Sequence, residues 1–394
     1  MIFNRAIEKK IRPWIIRKEI IVITGMRRVG KTTLLKKIHD SLESENKVFL
    51  DFENLLDRRV FRETDYNNIL KNLKPYGINP DLPSFIFIDE IQLQPESVSA
   101  IKYLYDHLKV KFFITGSSSF YLKNMFPESL SGRKALFELF PLSFDEYLVF
   151  KGIKRDYHET FSEKHDNKNK IKHEKLVKEF DEYMYFGGFP QVVLNETEDH
   201  KKEILSDIFR SYYQKDIQLL ADFRNMQAFE ELVLLLMQRA GSRLDISKLA
   251  STVNVSRETI YNYLAFLEGT YFIDLIRPFS RNVDREISGS RKVYICDTGL
   301  INVFAKVDAG SMFENAVYNN LKLLGGINYY QKRSGAEIDF ILQQKGIALE
   351  CKICGTQQEL KSLRKTTEGL GLDKSYIISQ KFHQEEGFLP VIEL

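Results

Sequence analysis

The 394-residue sequence has few cysteines and no long uninterrupted apolar run. Its three cysteines are an odd number without framework spacing, which excludes a disulfide scaffold and predicts a reducing compartment. No apolar run approaches the roughly 20 residues that span a bilayer, and the N-terminus does not resemble a secretory signal. We therefore expect a cytoplasmic protein with no membrane partner.

Excess charge is also scarce. Lys and Arg total 57 and Asp and Glu total 54, and the resulting formal charge of +3 does not by itself indicate a nucleic-acid partner. The apolar fraction of 43% is ordinary for globular proteins, so a sizeable core can form. The length favours two or three domains.

The most informative segment is residues 19–33, where an apolar strand leads into Gly-x-x-x-x-Gly-Lys-Thr and then into a helical pattern. This is a P-loop in its strand–loop–helix setting, in which backbone N–H groups and the helix N-terminus face phosphate oxygens. Lys31 is expected to reach the β- and γ-phosphates of ATP, and the Thr32 hydroxyl to hold Mg²⁺. The predicted nucleotide-binding residues of this segment are Gly25, Arg28, Gly30, Lys31, Thr32 and Thr33.

Two acids follow the apolar strand at residues 84–88. Asp89 is predicted to lie beside the P-loop and help hold Mg²⁺, and Glu90 to orient and polarise the attacking water. The second acid favours hydrolysis over simple binding. The next strand ends at residues 115–119, where Thr115 is predicted to contact the γ-phosphate or the water; a Ser-rich turn is the alternative.

Arg133 is a candidate arginine finger, which would stabilise transition-state charge in cis or from a neighbouring subunit. An ordinary surface arginine is the alternative.

From residue 20 to about 142, strands and helices alternate, and the strands have the continuous apolar pattern of a buried parallel sheet. These features predict an α/β, parallel-sheet P-loop ATPase core in residues 1–150.

Residues 151–225 are predicted to form a charged insertion and a helical lid region. Residues 154–178 are rich in Lys, His, Asn and Glu and lose the apolar pattern, which predicts an exposed insertion or a charged helix. A helical pattern with aromatic residues follows and is interrupted at Gly187–Pro190.

Residues 226–285 predict a winged-helix domain. A short helix at 244–250 and a turn are followed by Ser256 as N-cap, a helix at 257–268 and a strand at 272–276. In a DNA-binding interpretation, this second helix begins in the major groove with Ser256, Arg257, Thr259 and Tyr261. A lid or protein-contact module is the alternative, because basic residues are few and Glu258 would oppose phosphates.

The C-terminal segment 286–394 contains two strands joined by a turn at residues 343–346. If the hairpin turns about residues 344–345, Asp339 lies opposite Glu350, and Lys352 shares their face. Facing carboxylates cost stability unless a cation lies between them. The alternative is a fold kept for interaction, with the acids paired to local Lys and Arg such as Arg333.

Taken in order, these motifs resemble the prokaryotic AAA-plus-type ATPases that carry a C-terminal DUF4143 domain. The resemblance covers nearly the whole chain and implies an AAA-type core, a winged-helix middle domain and a restriction-endonuclease-like α/β C-terminal domain. The residues that carry it are Gly25–Thr32, Asp89-Glu90, Thr115–Ser117, Gly132-Arg133, Phe140–Phe144, Gly187–Pro190 and Asp297–Leu300.

The Asp339…Glu350-x-Lys352 arrangement also resembles the PD-(D/E)xK nuclease superfamily, although the proline of that motif is absent. The resemblance implies that Asp339 and Glu350 bind Mg²⁺, that Glu314 is the acid from the first helix, and that Lys352 positions water or neutralises the scissile phosphate.

We expect a Mg²⁺-dependent ATPase in which ATP hydrolysis drives a conformational change and which associates with DNA. The alternative is an ATP-gated signalling or protein-interaction switch whose nuclease-like domain is an inactive scaffold. ATP is the expected ligand, and DNA, a protein partner or a second copy of the chain are the expected partners.

Overall fold

The computed structural model describes residues 3–117, 132–217, 225–280, 282–332 and 335–394. The chain forms two units, residues 1–140 with 269–271 and residues 141–268 with 272–394. Leu142, Phe144 and Tyr147 lie in the core of the second unit, although they fall within the segment 1–150 that the sequence predicts as the ATPase domain. No helix of the described residues is both long and apolar enough to cross a membrane.

The first unit contains a five-stranded sheet in which every pairing is parallel. The strands are β1 (Ile20–Thr24), β2 (Lys47–Asp51), β3 (Ser84–Asp89), β4 (Val110–Gly116) and β5 (Lys134–Glu138). Their order in the sheet is β2-β3-β4-β1-β5, so β4 lies between the strand that precedes the P-loop and the strand that ends in the acids. This confirms the predicted parallel-sheet core.

The sheet is apolar on both faces because helices cover it. All residues of β1 and β4 are buried, as expected for central parallel strands, and the helix after the P-loop buries Leu34, Leu35 and Ile38. The α-helices of this unit are Ile7–Ile11, Lys31–Ser41, Leu55–Arg59, Asn68–Asn72 and Ser97–His107, with 3₁₀ turns at Arg12–Trp14, Lys74–Tyr76 and Ile91–Leu93.

The second unit contains an antiparallel pair of strands, β6 (Ile273–Ile276) and β7 (Lys292–Ile295). It also contains a mixed sheet of five strands, β8 (Ile327–Gln331), β9 (Glu337–Leu342), β10 (Ile347–Lys352), β11 (Lys374–Ser379) and β12 (Phe388–Pro390). Their order in the sheet is β12-β11-β10-β9-β8. The β8–β9 and β9–β10 pairs are antiparallel, and the β10–β11 and β11–β12 pairs are parallel.

The charged stretch continues into a helix at Lys170–Phe186, as one of the two alternatives predicted. Leu176, Phe180 and Tyr183 on this helix join the core formed with the C-terminal sheet. The helices of this unit are Phe144–Phe150, Phe161–Asp166, Lys170–Phe186, Pro190–Val193, Glu198–Tyr212, Met226–Gln238, Ile246–Thr252, Arg257–Gly269, Val283–Ser288, Thr298–Phe304, Ala309–Leu321 and Gln357–Gly369; a π-helical turn spans Tyr213–Ile217, and 3₁₀ turns span Lys322–Leu324, Gln343–Lys345 and Val391–Glu393.

The middle helices lie close to their predicted positions. Ser256 caps the helix Arg257–Gly269, since its hydroxyl oxygen accepts a hydrogen bond from the Thr259 N–H at 3.0 Å. The helix buries Ile260, Leu264 and Leu267, which is the stripe expected from its periodicity.

Two motifs that carried the family resemblance meet at one buried carboxylate. Asp297 accepts hydrogen bonds from the N–H groups of Gly188 at 2.7 Å and Gly299 at 2.9 Å. A Cβ on Gly188 would lie 2.3 Å from the Leu142 carbonyl oxygen, so only glycine fits there. Both motifs therefore serve the packing of the second unit.

Candidate functional sites

The P-loop connects β1 to the helix Lys31–Ser41. Gly30 is the N-cap of that helix with φ +99°, and Arg28 has a left-handed φ of 67°. A Cβ on Gly25 would lie 2.0 Å from the Leu139 carbonyl oxygen, so the loop can pass the chain after β5 only with glycine at that position.

The predicted phosphate-binding lysine lies over the loop. The Lys31 ammonium donates to the carbonyl oxygens of Gly25 at 2.9 Å and Met26 at 3.0 Å, and the residue is only 4% exposed. Thr33 is exposed on the same first turn. The lysine is therefore held against the loop at the N-terminus of the helix, the position at which P-loops bind phosphate.

Arg5 was not predicted and holds this loop from behind. Its guanidinium donates to the carbonyl oxygens of Val29 at 2.8 Å and Phe140 at 2.7 Å. These contacts join positions 24 and 135 residues apart in sequence. No local pattern around Arg5 indicates them.

Asp89, the last residue of β3, contacts the P-loop threonine. The Thr32 hydroxyl donates to Asp89 Oδ2 at 2.7 Å, and the Thr115 hydroxyl donates to Asp89 Oδ1. Burial raises the pKa of Asp89, while the hydrogen bonds from Thr115 and Thr32 oppose that rise. The oxygen donors of Thr32 and Asp89 suit Mg²⁺.

Glu90 is held in an unusual backbone conformation. Its φ is 56°, and its N–H donates to the Thr115 hydroxyl oxygen at 3.0 Å. The Gln92 amide, also not predicted, donates to the Glu90 carboxylate and to the Ser117 hydroxyl oxygen at 3.0 Å. Left-handed non-glycine residues concentrate at functional sites. Ser118 and Ser119 lie outside the described residues.

Arg133 lies at the end of the parallel strands that is opposite the P-loop. It precedes β5, whose first residue Lys134 pairs with Ile20 at the start of β1, whereas the P-loop follows the end of β1. Five strand residues span about 16 Å, and the guanidinium pairs with Asp106 at 3.0 Å. This placement does not fit the cis alternative for the arginine finger.

In the second unit, the β9–β10 hairpin has the register expected from the sequence. Leu349 pairs with Phe340, the last pair of this ladder, and Glu350 and Asp339 are the residues that follow it on the two strands. Asp339 Oδ2 accepts from the Cys351 N–H at 2.9 Å, and Lys352 pairs with Glu350 at 2.9 Å.

Lys292, at the start of β7, lies among carboxylates and was not predicted. Its ammonium is 3.1 Å from Glu314, 2.7 Å from Glu337 and 3.5 Å from Asp339. The Tyr294 hydroxyl donates to Glu314 Oε1 at 2.6 Å. We call Lys292, Glu314, Glu337 and Asp339 the carboxylate cluster.

Burial and neighbouring charges together set the pKa values in this cluster. Burial and the Asp339 charge raise the pKa of Glu314 to about 7, while Lys292 opposes that rise. Burial alone would lower the pKa of Lys292, but Glu314, Asp339 and Glu337 outweigh it and raise the pKa.

As they stand, the carboxylates predicted to bind Mg²⁺ in this unit do not fit the ion. Glu314 and Asp339 face the Lys292 ammonium, and Glu350 faces Lys352. Within the described ranges, no group of three or more His, Cys, Asp or Glu side chains is arranged to hold a metal ion.

With both sites described, comparison with known proteins is informative. Residues 17–148 match the family described as an AAA domain, and residues 309–390 match a domain of unknown function, DUF4143. Residues 177–311, between them, match another domain of unknown function, DUF8612.

Relatives match over most of their length. Uncharacterized protein MJ1544 of Methanocaldococcus jannaschii is 30% identical over 410 residues, covering 98% of this chain and 86% of the relative. An uncharacterized protein of Haemophilus influenzae is 29% identical over 338 residues, covering 82% of this chain and 80% of that protein.

A solved structure, that of the Aeropyrum pernix ORC1 protein in complex with DNA, is similar with a sequence identity of 12% and a TM-score of 0.31, covering 82% of this chain and 95% of that one.

The family models and the sequence relatives show the family. The chain belongs to the proteins that combine an N-terminal AAA domain with a C-terminal DUF4143 domain.

Proposed function

We propose that the first unit binds and hydrolyses ATP with Mg²⁺, and that hydrolysis drives a conformational change. The observation that carries this is the convergence of Thr32, Asp89, Thr115 and Glu90 beside the P-loop. Three separate elements bring these residues together, as a hydrolytic site requires.

Each residue has a definite task. Lys31 neutralises phosphate charge, and Gly25, Arg28, Gly30 and Thr33 shape the loop whose N–H groups face the phosphates. Thr32 and Asp89 would hold Mg²⁺, which supplies charge neutralisation to the phosphate oxygens when bound.

Glu90 accepts the proton of the attacking water, because its carboxylate follows the strand end and is oriented by Gln92. Thr115 acts on the phosphates through the two acids. Its hydroxyl donates a hydrogen bond to Asp89 and accepts one from the Glu90 N–H. Its assigned role is therefore to position both acids.

Two variants test the ATPase proposal. Lys31→Ala should lose nucleotide binding, since charge-assisted phosphate contacts disappear, whereas Glu90→Gln should keep binding and lose hydrolysis. Lys36→Ala is the matched control, because Lys36 is exposed on the same helix. Wild-type hydrolysis by Glu90→Gln would remove Glu90 from its assigned role.

The second unit is assigned a winged-helix domain followed by a restriction-endonuclease-like domain. Three helices and the β6–β7 pair support the first assignment. The mixed sheet with Asp339, Glu350 and Lys352 on one hairpin supports the second. No cleavage step is assigned to this hairpin, since lysines face its acids.

DNA is the partner proposed for the middle helices. Tyr261, 59% exposed on the capped helix, lines a cavity of about 880 Å³ together with Arg243 and Arg291. Two arginines and an exposed aromatic ring suit a phosphate backbone with nearby bases. Asp245 and Glu268 also line the cavity, and Glu268 pairs with Arg291 at 3.6 Å. A protein partner is the alternative, and it corresponds to the ATP-gated switch expected from the sequence.

Salt dependence separates these partners. DNA binding through Arg243 and Arg291 predicts an affinity that falls as salt rises, with a smaller slope in Arg243→Ala. ATP hydrolysis should also respond to added DNA. Neither salt-sensitive binding nor stimulation would favour the protein-interaction switch.

A further inference from the structure

We propose that Lys292 is the resident cation of a latent metal site formed by Glu314, Glu337 and Asp339. Three elements supply the carboxylates and the lysine: β7, the helix Ala309–Leu321 and β9. The inference concerns the second unit and is independent of ATP hydrolysis.

The distances define the occupant. The Lys292 ammonium lies 3.1, 2.7 and 3.5 Å from oxygens of Glu314, Glu337 and Asp339. A divalent ion would need the same oxygens at about 2.0–2.6 Å. It would then lie so close to the ammonium that their like charges repel each other.

Moving the Lys292 ammonium out of the cluster is energetically costly. Its side chain is 4% exposed, and its ammonium lies 5.6 Å from the centre of the Tyr329 ring. Its backbone belongs to β7 and pairs with Ile276. Withdrawing the lysine without a replacement cation would leave the largely buried carboxylates of Glu314 and Asp339 unneutralised, which is costly.

Glu337 makes the cluster more than a pair. Its carboxylate makes the shortest contact with Lys292. It is the third carboxylate of the cluster and lies on β9, two residues before Asp339. Three carboxylates suit a hard divalent cation once the lysine is removed. The site therefore takes Mn²⁺ or Mg²⁺ only when position 292 carries no charge.

Mn²⁺ binding to the full chain without nucleotide tests this, counted by electron paramagnetic resonance of the free ion. Wild type and Asp339→Asn should bind equal amounts. Lys292→Gln should bind one more equivalent than Lys292→Gln/Asp339→Asn, and its Tm should rise with Mn²⁺ concentration. Thr32 and Asp89 are unchanged in all four, so any binding at the P-loop cancels.

Lys201→Gln is the matched control, because Lys201 is also buried and pairs with a single carboxylate, Glu182. It should gain no Mn²⁺. Lys292→Met, which keeps an apolar stem, is measured in parallel in case Lys292→Gln does not fold. Two results would overturn the proposal. In the first, the wild type binds one equivalent of Mn²⁺ more than Asp339→Asn, a comparison that needs no lysine variant. In the second, a folded Lys292 variant gains no Mn²⁺.

Discussion

At the scale of single residues, Thr115 joins the two acids of the proposed ATPase site. Its hydroxyl donates to Asp89 and accepts from the Glu90 N–H at 3.0 Å. Thr115→Val should reduce ATP hydrolysis about 10- to 100-fold, because a buried N–H left without an acceptor costs about 1–3 kcal/mol and Glu90 loses its position. Steady-state hydrolysis and nucleotide affinity, measured together, check this.

Thr24→Val is the control for that change. Thr24 ends the neighbouring strand β1, is fully buried, and its hydroxyl has no hydrogen-bond partner within the described part of the chain. Hydrolysis should remain within about twofold of wild type, since a shape-preserving change that removes no bond costs little. Equal losses in both variants would assign the effect to packing.

Asp297 predicts a pH dependence of stability. Burial raises the pKa of its carboxyl from 3.8 to about 7. The native state therefore keeps a proton that the unfolded state loses above pH 4, so this group makes the protein less stable as pH rises from about 4 to 7. Asp297→Asn should flatten that part of the stability–pH curve.

Asp308 contributes a pH dependence of stability of the opposite sign, and Asp308→Asn is the variant for comparison. Hydrogen bonds from the Ser311 backbone and side chain lower the pKa of Asp308, so its contribution is present at neutral pH and is lost in acid. Denaturant unfolding across pH 3–8 checks both variants. A wild-type slope in Asp297→Asn would show that another group carries the dependence.

At the scale of elements, Gly188 sets how closely the chain after helix Lys170–Phe186 approaches residue 142. The Leu142 N–H donates to the Gly188 carbonyl at 2.7 Å, and an added Cβ would lie 2.3 Å from the Leu142 oxygen. Gly188→Ala should lower the free energy of unfolding by about 1–3 kcal/mol or more through overpacking.

Gly369→Ala is its control, since a Cβ there meets no described atom within 4 Å and the residue ends a helix. It should be neutral or slightly stabilising. Thermal unfolding of the two alanine variants separates a specific close approach from a general intolerance of alanine. Similar losses in both would contradict the packing argument.

At the scale of the whole molecule, the position of Arg133 leaves catalysis in trans as the remaining arginine-finger prediction. Turnover per chain should then rise with protein concentration, and Arg133→Ala should reduce turnover about 10³-fold or more without weakening ATP binding. Arg210→Ala, at another exposed ion pair, is the control. Concentration-independent turnover with an unaffected Arg133→Ala would make it a surface arginine paired with Asp106.

Short-range features of this protein could be predicted from sequence. The P-loop, the acids after β3, the Ser256 cap and the hairpin register depend on residues a few positions apart, so local sterics and hydrogen bonding determine them. The parallel sheet of the AAA core could also be predicted from local sequence, because its strands are continuous apolar runs.

Long-range placement was decided by the tertiary structure. The parallel pairing of β1 and β5 put Arg133 at the N-terminal end of these strands, whereas the P-loop follows the C-terminal end of β1. Packing put residues 141–150 into the second unit. Lys292 meets Glu314 across 22 residues only because β7 and the helix Ala309–Leu321 pack together. The sequence determined which charges exist; burial beside one another decided that a lysine neutralises the carboxylates, since a buried charge without a partner is too costly to keep.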